Sequence, residues 1–158
     1  MHEEYKNKIR TEALNFLKGN KIAVIATVSE TGVPHAATVY YIVDDEFNIY
    51  FMTNGDSQKA NDLRRTKKAA MVVGAGPQIS TMQGGGIVET DTFNVMEMTK
   101  LIFDRLNPEE VKYWPIKKLK VENIAVFKIK LEWLSWLNFD LENTPAGDYK
   151  EGFLKIIP

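Results

Sequence analysis

The chain has 158 residues, 44% hydrophobic, 11% aromatic and 26% charged, with a formal net charge of −1; this is the size and composition of one ordinary globular domain. So even a balance gives no overall field to draw in nucleic acid or an anionic membrane, and neither is expected as a partner. There is no cysteine, which removes disulfides, thiolate nucleophiles, iron–sulfur clusters and the common structural zinc sites.

The chain opens with a helix over residues 1–19. Tyr5, Ile9, Ala13, Phe16 and Leu17 recur at three- and four-residue steps, and Gly19 stands where a C-terminal cap belongs. From Lys21 the period changes. Ile22 to Val28 is a β-branched apolar run, which predicts a strand buried on both faces. Ser29 to Pro34 predicts a turn, with glycine supplying positive φ and proline blocking strand continuation. Thr38 to Val43 predicts a second strand, Asp44–Asp45–Glu46 a turn, and Asn48 to Thr53 a third strand. Connections this short make a meander of hairpins.

Asn54–Gly55–Asp56 breaks that pattern, and Ser57 is a good N-cap for a short helix reaching Leu63 and Arg64. Ala69 to Gly74 predicts a fourth strand. Ser80 to Glu89 predicts a fifth, and Gly84–Gly85–Gly86 in its middle implies a bulge, a barrel corner or close approach of another group. Asp91 or Thr92 is expected to cap a helix through Phe103, with Val95, Met98, Leu101 and Ile102 as its apolar face. Pro108, followed by Glu109 and Glu110, opens another short helix. Ile124 to Leu131 alternates as a sixth strand, with Ala125, Phe127, Ile129 and Leu131 on one face and Ile124, Val126, Lys128 and Lys130 on the other. The tail, residues 140–158, is polar with a Thr144–Pro145–Ala146–Gly147 turn, and is expected to drape over a neighbour or lie loose. With no repeat or linker, residues 1–158 read as a single α+β domain: a six-stranded, mostly antiparallel β-barrel with flanking helices.

Met1 to Lys8 is charged and lacks a continuous apolar stretch, and no run approaches ~20 apolar residues. Neither a secretory signal nor a membrane span is expected. Together with the missing disulfides, this reads as a soluble cytoplasmic protein.

Two groups of residues point to a ligand. In Thr53–Asn54–Gly55–Asp56–Ser57–Gln58–Lys59 a strand ends, a glycine turn follows, and a helix opens with Ser57 and Lys59 in its first turn. Free amides and the positive end of the helix dipole there suit an anion, and Lys59 adds a full charge. The same residues also read as an ordinary N-cap beside a solvated basic face (Arg64, Arg65, Lys67, Lys68). The second group is aromatic: Tyr40, Tyr41, Tyr50 and Phe51 on paired strands, then Trp133 and Trp136 three residues apart. A planar cofactor needs such walls; a barrel core or a subunit interface needs them equally. Other chemistries fail. His2 and His35 are the only histidines, so no histidine-rich metal site forms and no metal is expected. The three glycines do not open a helix as the dinucleotide fingerprint requires, and Ser57 lacks a histidine partner for nucleophilic catalysis.

Taken in order, Gly32–Val33–Pro34–His35 leading into Ala37–Thr38–Val39–Tyr40–Tyr41, then Ile49–Tyr50–Phe51–Met52–Thr53–Asn54, then Ser57–Gln58–Lys59–Ala60 and Leu63, resemble the pyridoxamine 5'-phosphate oxidase-like, flavin-binding split-barrel family. The likeness runs from about Lys21 to Glu89 and returns at Phe127–Trp136. It implies a split β-barrel that works as a homodimer, with FMN at the subunit interface. The strand matching Ala37–Ile42 would run along the flavin ring, making Thr38, Val39, Tyr40 and Tyr41 candidate contacts, joined by Met52 and Thr53. Ser57, Gln58 and Lys59 match the segment that grips the FMN phosphate. Thr81 and Gln83 match positions that reach the cofactor from the partner subunit, and Trp133 is a candidate aromatic wall.

The chain departs from the oxidase itself. Ala37 and Ile42 stand where that enzyme uses an arginine and a lysine for the phosphate, and no arginine follows Arg105 to supply its substrate signature. The implied function is therefore an FMN-dependent oxidoreductase acting on another small molecule, with no side chain assigned as acid or base. A non-catalytic module of the same fold, loaded with flavin, deazaflavin or haem, stays open. Haem is disfavoured because only His35 could serve as an axial ligand.

Overall fold

Period-two alternation puts one row of side chains from each strand inside a barrel. The computed structural model describes residues 2–74, 80–90, 94–138 and 153–158. β1 (Ile22–Val28), β2 (Pro34–Val43), β3 (Asn48–Asn54), β4 (Lys68–Val73), β5 (Ser80–Thr90) and β6 (Ile124–Asn138) lie in the order β3-β2-β1-β4-β5-β6, with antiparallel neighbours. β3 pairs again with β6, which closes the ring. This is the expected six-stranded barrel. A seventh strand, β7 (Phe153–Ile157), adds to the second half of β6.

The inward rows supply Ile25, Tyr41, Ile49, Phe51, Met71, Met82, Phe127 and Ile129, all essentially inaccessible to solvent. The Phe51 and Phe127 rings stack at 5.6 Å. Helix α1 (Glu3–Gly19) covers one end with Ala13 and Leu17, and the Tyr41 hydroxyl donates to the Leu17 carbonyl at 2.6 Å. Helix α2 (Gln58–Thr66) covers the opposite end with Ala60 and Leu63. A second apolar cluster sits outside the barrel. There Tyr40, Ile42, Met52 and Val126 on β2, β3 and β6 are overlaid by α3 (Val95–Phe103), α4 (Pro108–Lys112) and a 3₁₀ turn at Pro115–Lys118, through Ile102, Trp114 and Ile116. The expected two faces of β6 therefore divide between these clusters: Ala125, Phe127, Ile129 and Leu131 inside, Val126 and Ile124 outside.

Several boundaries differ from the sequence reading, each for a local reason. β1 is not buried on both faces: Ala23, Ile25 and Thr27 face the interior, while Ile22, Ala26 and Val28 are exposed. A barrel strand has only one inner face. β2 starts at Pro34, opposite Val28, because proline is tolerated at the first residue of a strand. The turn before it closes on Gly32, whose φ of 84° only glycine adopts freely. β6 runs on to Asn138, so Trp133 and Trp136 are strand residues. The cap of α3 is Asn94, whose side chain accepts from the Glu97 amide at 3.1 Å; Asp91 and Thr92 lie outside the described residues. Leu101 on that helix is exposed. Of the tail, Phe153–Ile157 pairs with this chain's own β6, and the turn at 144–147 lies outside the described residues.

The three glycines answer a bulge. Pairing between β5 and β6 shifts between Gly85 and Gly86, leaving Glu132 as the extra residue on β6. A Cβ at Gly86 would sit 1.9 Å from the Lys130 carbonyl oxygen, and one at Gly85 would sit 2.7 Å from Trp133 Nε1. The first glycine admits the bulged backbone and the second admits the indole.

Candidate functional site

The strongest convergence of predicted residues lies where β3 ends and α2 begins. Ser57 is extended, so its hydroxyl can turn back and accept from the Ala60 amide at 3.1 Å. The amides of Gln58 and Lys59 have no partner among the described residues, and they mark the positive end of a nine-residue helix. Lys59 reaches back to β3, where Nζ donates to Thr53 Oγ1 at 3.3 Å, and Thr53 Oγ1 lies 3.4 Å from Ser57 Oγ. No acidic group pairs with Lys59 among the described residues, and partial burial lowers its pKa. A half-buried cation short of negative charge favours an anion beside it.

From this cationic corner a groove of about 430 Å³ runs along the outer face of β2 and β3. Its floor is Ile22, Thr38, Val39, Tyr40, Met52, Thr53 and Asn54, and its far wall is Tyr113, Trp114, Pro115, Ile116 and Leu119. Tyr40 and Trp114 meet edge to face at 6.1 Å, and the Tyr40 hydroxyl donates to the Glu110 carbonyl at 3.1 Å. One end is thus polar and positive and the remainder apolar and aromatic. That is what a flat ring with an anionic tail requires.

The expected site residues fall into three sets. Thr38, Val39, Tyr40, Met52, Thr53 and Lys59 line this groove together, with Ser57 at its corner through Thr53. Tyr41 and Gln58 are adjacent in sequence but their side chains point elsewhere. The Tyr41 ring is in the barrel, where burial raises its pKa, and Gln58 Nε2 donates to Asp62 Oδ1 at 2.8 Å. Thr81, Gln83 and Trp133 lie apart from it on the barrel's outer face. Thr81 and Gln83 flank a small hollow with Val72, Ser135 and Leu137, and Trp133 is 41% exposed.

The register explains that separation. Thr38 pairs with Val24, Val24 with Val72, Val72 with Gln83 and Gln83 with Ser135, so these residues form one row on the outer face. Thr38 and Gln83 stand three strand spacings apart, roughly 14 Å. Within one chain they do not meet. Around that row the outer surface is apolar and open, with Ile22, Val28, Val72, Ile87 and Trp133 each about 40% exposed or more, apart from Val72 at 38%.

Sequence reasoning missed the far wall. Tyr113–Trp114–Pro115 marks two adjacent aromatics beside a proline, but only packing brings them to the groove. The preceding α4 is fixed by a full capping box between Asn107 and Glu110. A second polar centre was also missed. Asp62, 1% exposed, accepts from Gln58, from Thr27 Oγ1 at 3.0 Å and lies 3.2 Å from His35 Nδ1. Burial raises the carboxyl's pKa, but these three partners outweigh it and the net shift is downward. No group of three or more metal-ligating side chains occurs among the described residues, and no described helix is long and apolar enough to cross a membrane.

Comparison with known proteins gives a consistent picture. Residues 9–115 match the family model for pyridoxamine 5'-phosphate oxidase. No curated protein matches the chain. Among solved structures, the chain is similar to General Stress Protein 26 from Bacillus anthracis, at 18% identity over 93% of this chain and 98% of that one, with a TM-score of 0.64. A protein of Clostridium acetobutylicum, related to general stress protein 26 and assigned to the pyridoxinephosphate oxidase family, is 14% identical over 82% of this chain and 87% of its own, at 0.60. A heme binding protein from Mycobacterium smegmatis is 12% identical over 80% of this chain and 52% of its own, at 0.61. At these identities the structural likeness speaks for the fold alone.

Proposed function

The chain belongs to the pyridoxamine 5'-phosphate oxidase family, and from that premise we propose that it holds FMN in the groove between β2, β3 and the Tyr113–Leu119 wall. In this reading it is a cytoplasmic homodimer with two equivalent sites and acts as an oxidoreductase on a small molecule.

The observation that carries the reading is Lys59: half-buried, without an acidic partner among the described residues, beside two unpartnered amides, at the mouth of an aromatic groove. Lys59, Thr53, Ser57 and the first-turn amides of α2 would hold the phosphate. Tyr40, Met52, Trp114 and Ile116 would shield the ring from water, and Thr38 and Val39 would border it along β2. Tyr41 and Gln58 would contribute through the main chain. Bound there, FMN would supply the redox chemistry while the protein sets position and electrostatics.

The dimer is supported by the outer face. Apolar strand residues such as Ile22, Val28, Val72 and Ile87 stand open to solvent in a single chain, which suits an interaction surface. A two-fold copy of that face would let Thr81, Gln83 and Trp133 of one subunit approach the groove of the other, a distance no single chain spans. The substrate is proposed to differ from pyridoxamine phosphate, because the resemblance matches Ala37 and Ile42 to the oxidase's phosphate-binding arginine and lysine. Haem is the weaker alternative: His35 stands at the barrel end under α2, facing Asp62 rather than the groove.

Titrating the protein separately with FMN, deazaflavin and haem, and following both absorbance and melting temperature, tests this reading. FMN should raise the melting temperature most, because a ligand bound to the folded state stabilises it by mass action. A larger rise with haem or deazaflavin would reassign the cofactor.

A further inference from the structure

Behind the far wall of the groove lies a second hollow, of about 560 Å³, lined by Pro108, Lys112, Tyr113, Trp114, Pro115, Lys117 and Lys118. The two cavities share Tyr113, Trp114 and Pro115 as a common partition. Three lysines converge on the second one and no carboxylate lines it. Lys112, Lys117 and Lys118 have no ion-pair partner among the described residues, and Lys112 Nζ lies over the Tyr113 ring at 5.7 Å. Tyr113 is 71% exposed, the most accessible of the large hydrophobic side chains among the described residues.

This combination has a chemical meaning. Like charges held together without counter-charges repel, so their convergence on a cavity favours an anion there. An ammonium group binds phosphate as a point charge. The exposed Tyr113 ring beside the cations offers a stacking platform for a flat ring. A cavity of this size accommodates a small molecule rather than a polymer, in keeping with the chain's net charge of −1.

We propose that the hollow formed by Lys112, Tyr113, Lys117 and Lys118 is a second ligand site, which takes a phosphorylated nucleoside with its phosphates on the lysines and its base on Tyr113. Such a ligand would lie across the partition from the groove assigned above to FMN. Its role as a co-substrate rests on that reading; its binding does not.

Calorimetric titration with adenosine 2',5'-bisphosphate, adenosine and inorganic phosphate, on the wild type and on a K117E/K118E double variant, tests the inference. Lys117 and Lys118 are exposed and do not line the first groove, so the variant should fold normally and bind FMN as the wild type does. The bisphosphate is expected to bind saturably, at least tenfold more tightly than adenosine or inorganic phosphate, and to lose at least tenfold in affinity in the variant. Equal bisphosphate affinity in both proteins would overturn the site. So would inorganic phosphate binding as tightly as the bisphosphate, which would indicate an adventitious ion only, or a single-stranded oligonucleotide outcompeting it. Lysine-dependent bisphosphate binding by a chain that takes up no FMN would uphold this site while removing the flavin reading.

Discussion

Lys59 and Thr53 are joined across the mouth of the groove by one hydrogen bond, Nζ to Oγ1 at 3.3 Å. That bond ties the first turn of α2 to the last residues of β3, and it is the only side-chain hydrogen bond of Lys59 among the described residues. The lysine is therefore aimed before any ligand arrives.

Removing the charge should weaken the ligand and spare the fold. Lys59→Ala is expected to cost about 2 kcal/mol of FMN binding, roughly thirtyfold in affinity. Thr53→Val, which keeps the shape and loses the hydroxyl, should cost about 1 kcal/mol. Quenching of flavin fluorescence on titration measures both, and unfolding curves of the apo proteins should nearly superimpose for Lys59→Ala.

Asp62 governs stability at low pH. Its folded pKa is depressed, because Gln58, Thr27 and His35 together outweigh burial. The carboxylate's contribution is accordingly present above the unfolded value near 4 and is lost as pH falls through the lower folded value. The urea midpoint of the wild type should drop below about pH 4, and Asp62→Asn should flatten that drop. Asp62→Ala leaves the buried Thr27 hydroxyl without its partner, while the exposed Gln58 and His35 can turn to water, and should cost about 1–2 kcal/mol at neutral pH.

Much of this was readable in the residues, for identifiable reasons. Alternation placed Ala125, Phe127, Ile129 and Leu131 on one face, and the Asp44 turn was legible because its carboxylate gathers the Glu46 and Asn48 amides at 2.9 Å each. Ser57 as an N-cap was legible from local chemistry alone. What was not legible depends on tertiary context. Ile22–Val28 looks the same whether one face or two are covered. Trp133 and Trp136 extend β6 only because β5 and β7 flank it. The Tyr113–Leu119 wall is brought to the groove by packing of α3 and α4 over β2 and β3, and nothing at its own positions announces that. Gln58 matched a family segment, yet the buried Asp62 one turn on claims its side chain.

The glycines give a sharper structural test. Gly86→Ala places a methyl 1.9 Å from a backbone oxygen that cannot rotate away, and should cost about 3 kcal/mol or more, or prevent folding. Gly19→Ala meets nothing within 4 Å at the last position of α1 and should be neutral or gain up to about 1 kcal/mol. Thermal unfolding of the two variants side by side should show a large loss, or no transition, for Gly86→Ala and no loss for Gly19→Ala.

The outer face should decide assembly. Val72→Lys places a charge on the outer face between Val24 and Gln83, on a side chain already 38% exposed, so the single chain should fold unharmed. Sedimentation velocity is expected to find the wild type as a dimer and the variant as a monomer. The variant should also lose FMN affinity, since Thr81, Gln83 and Trp133 are proposed to reach each site from the other subunit.

The central claim is that two copies of the barrel enclose a phosphorylated flat ring at Lys59. Sedimentation velocity of the FMN-titrated protein, monitored at the flavin absorbance, tests it most directly. The expected result is a single species of twice the 18.0 kDa chain mass, carrying one flavin per chain and depleted of flavin by Lys59→Ala. A folded monomer that sediments free of flavin at saturating FMN would contradict it.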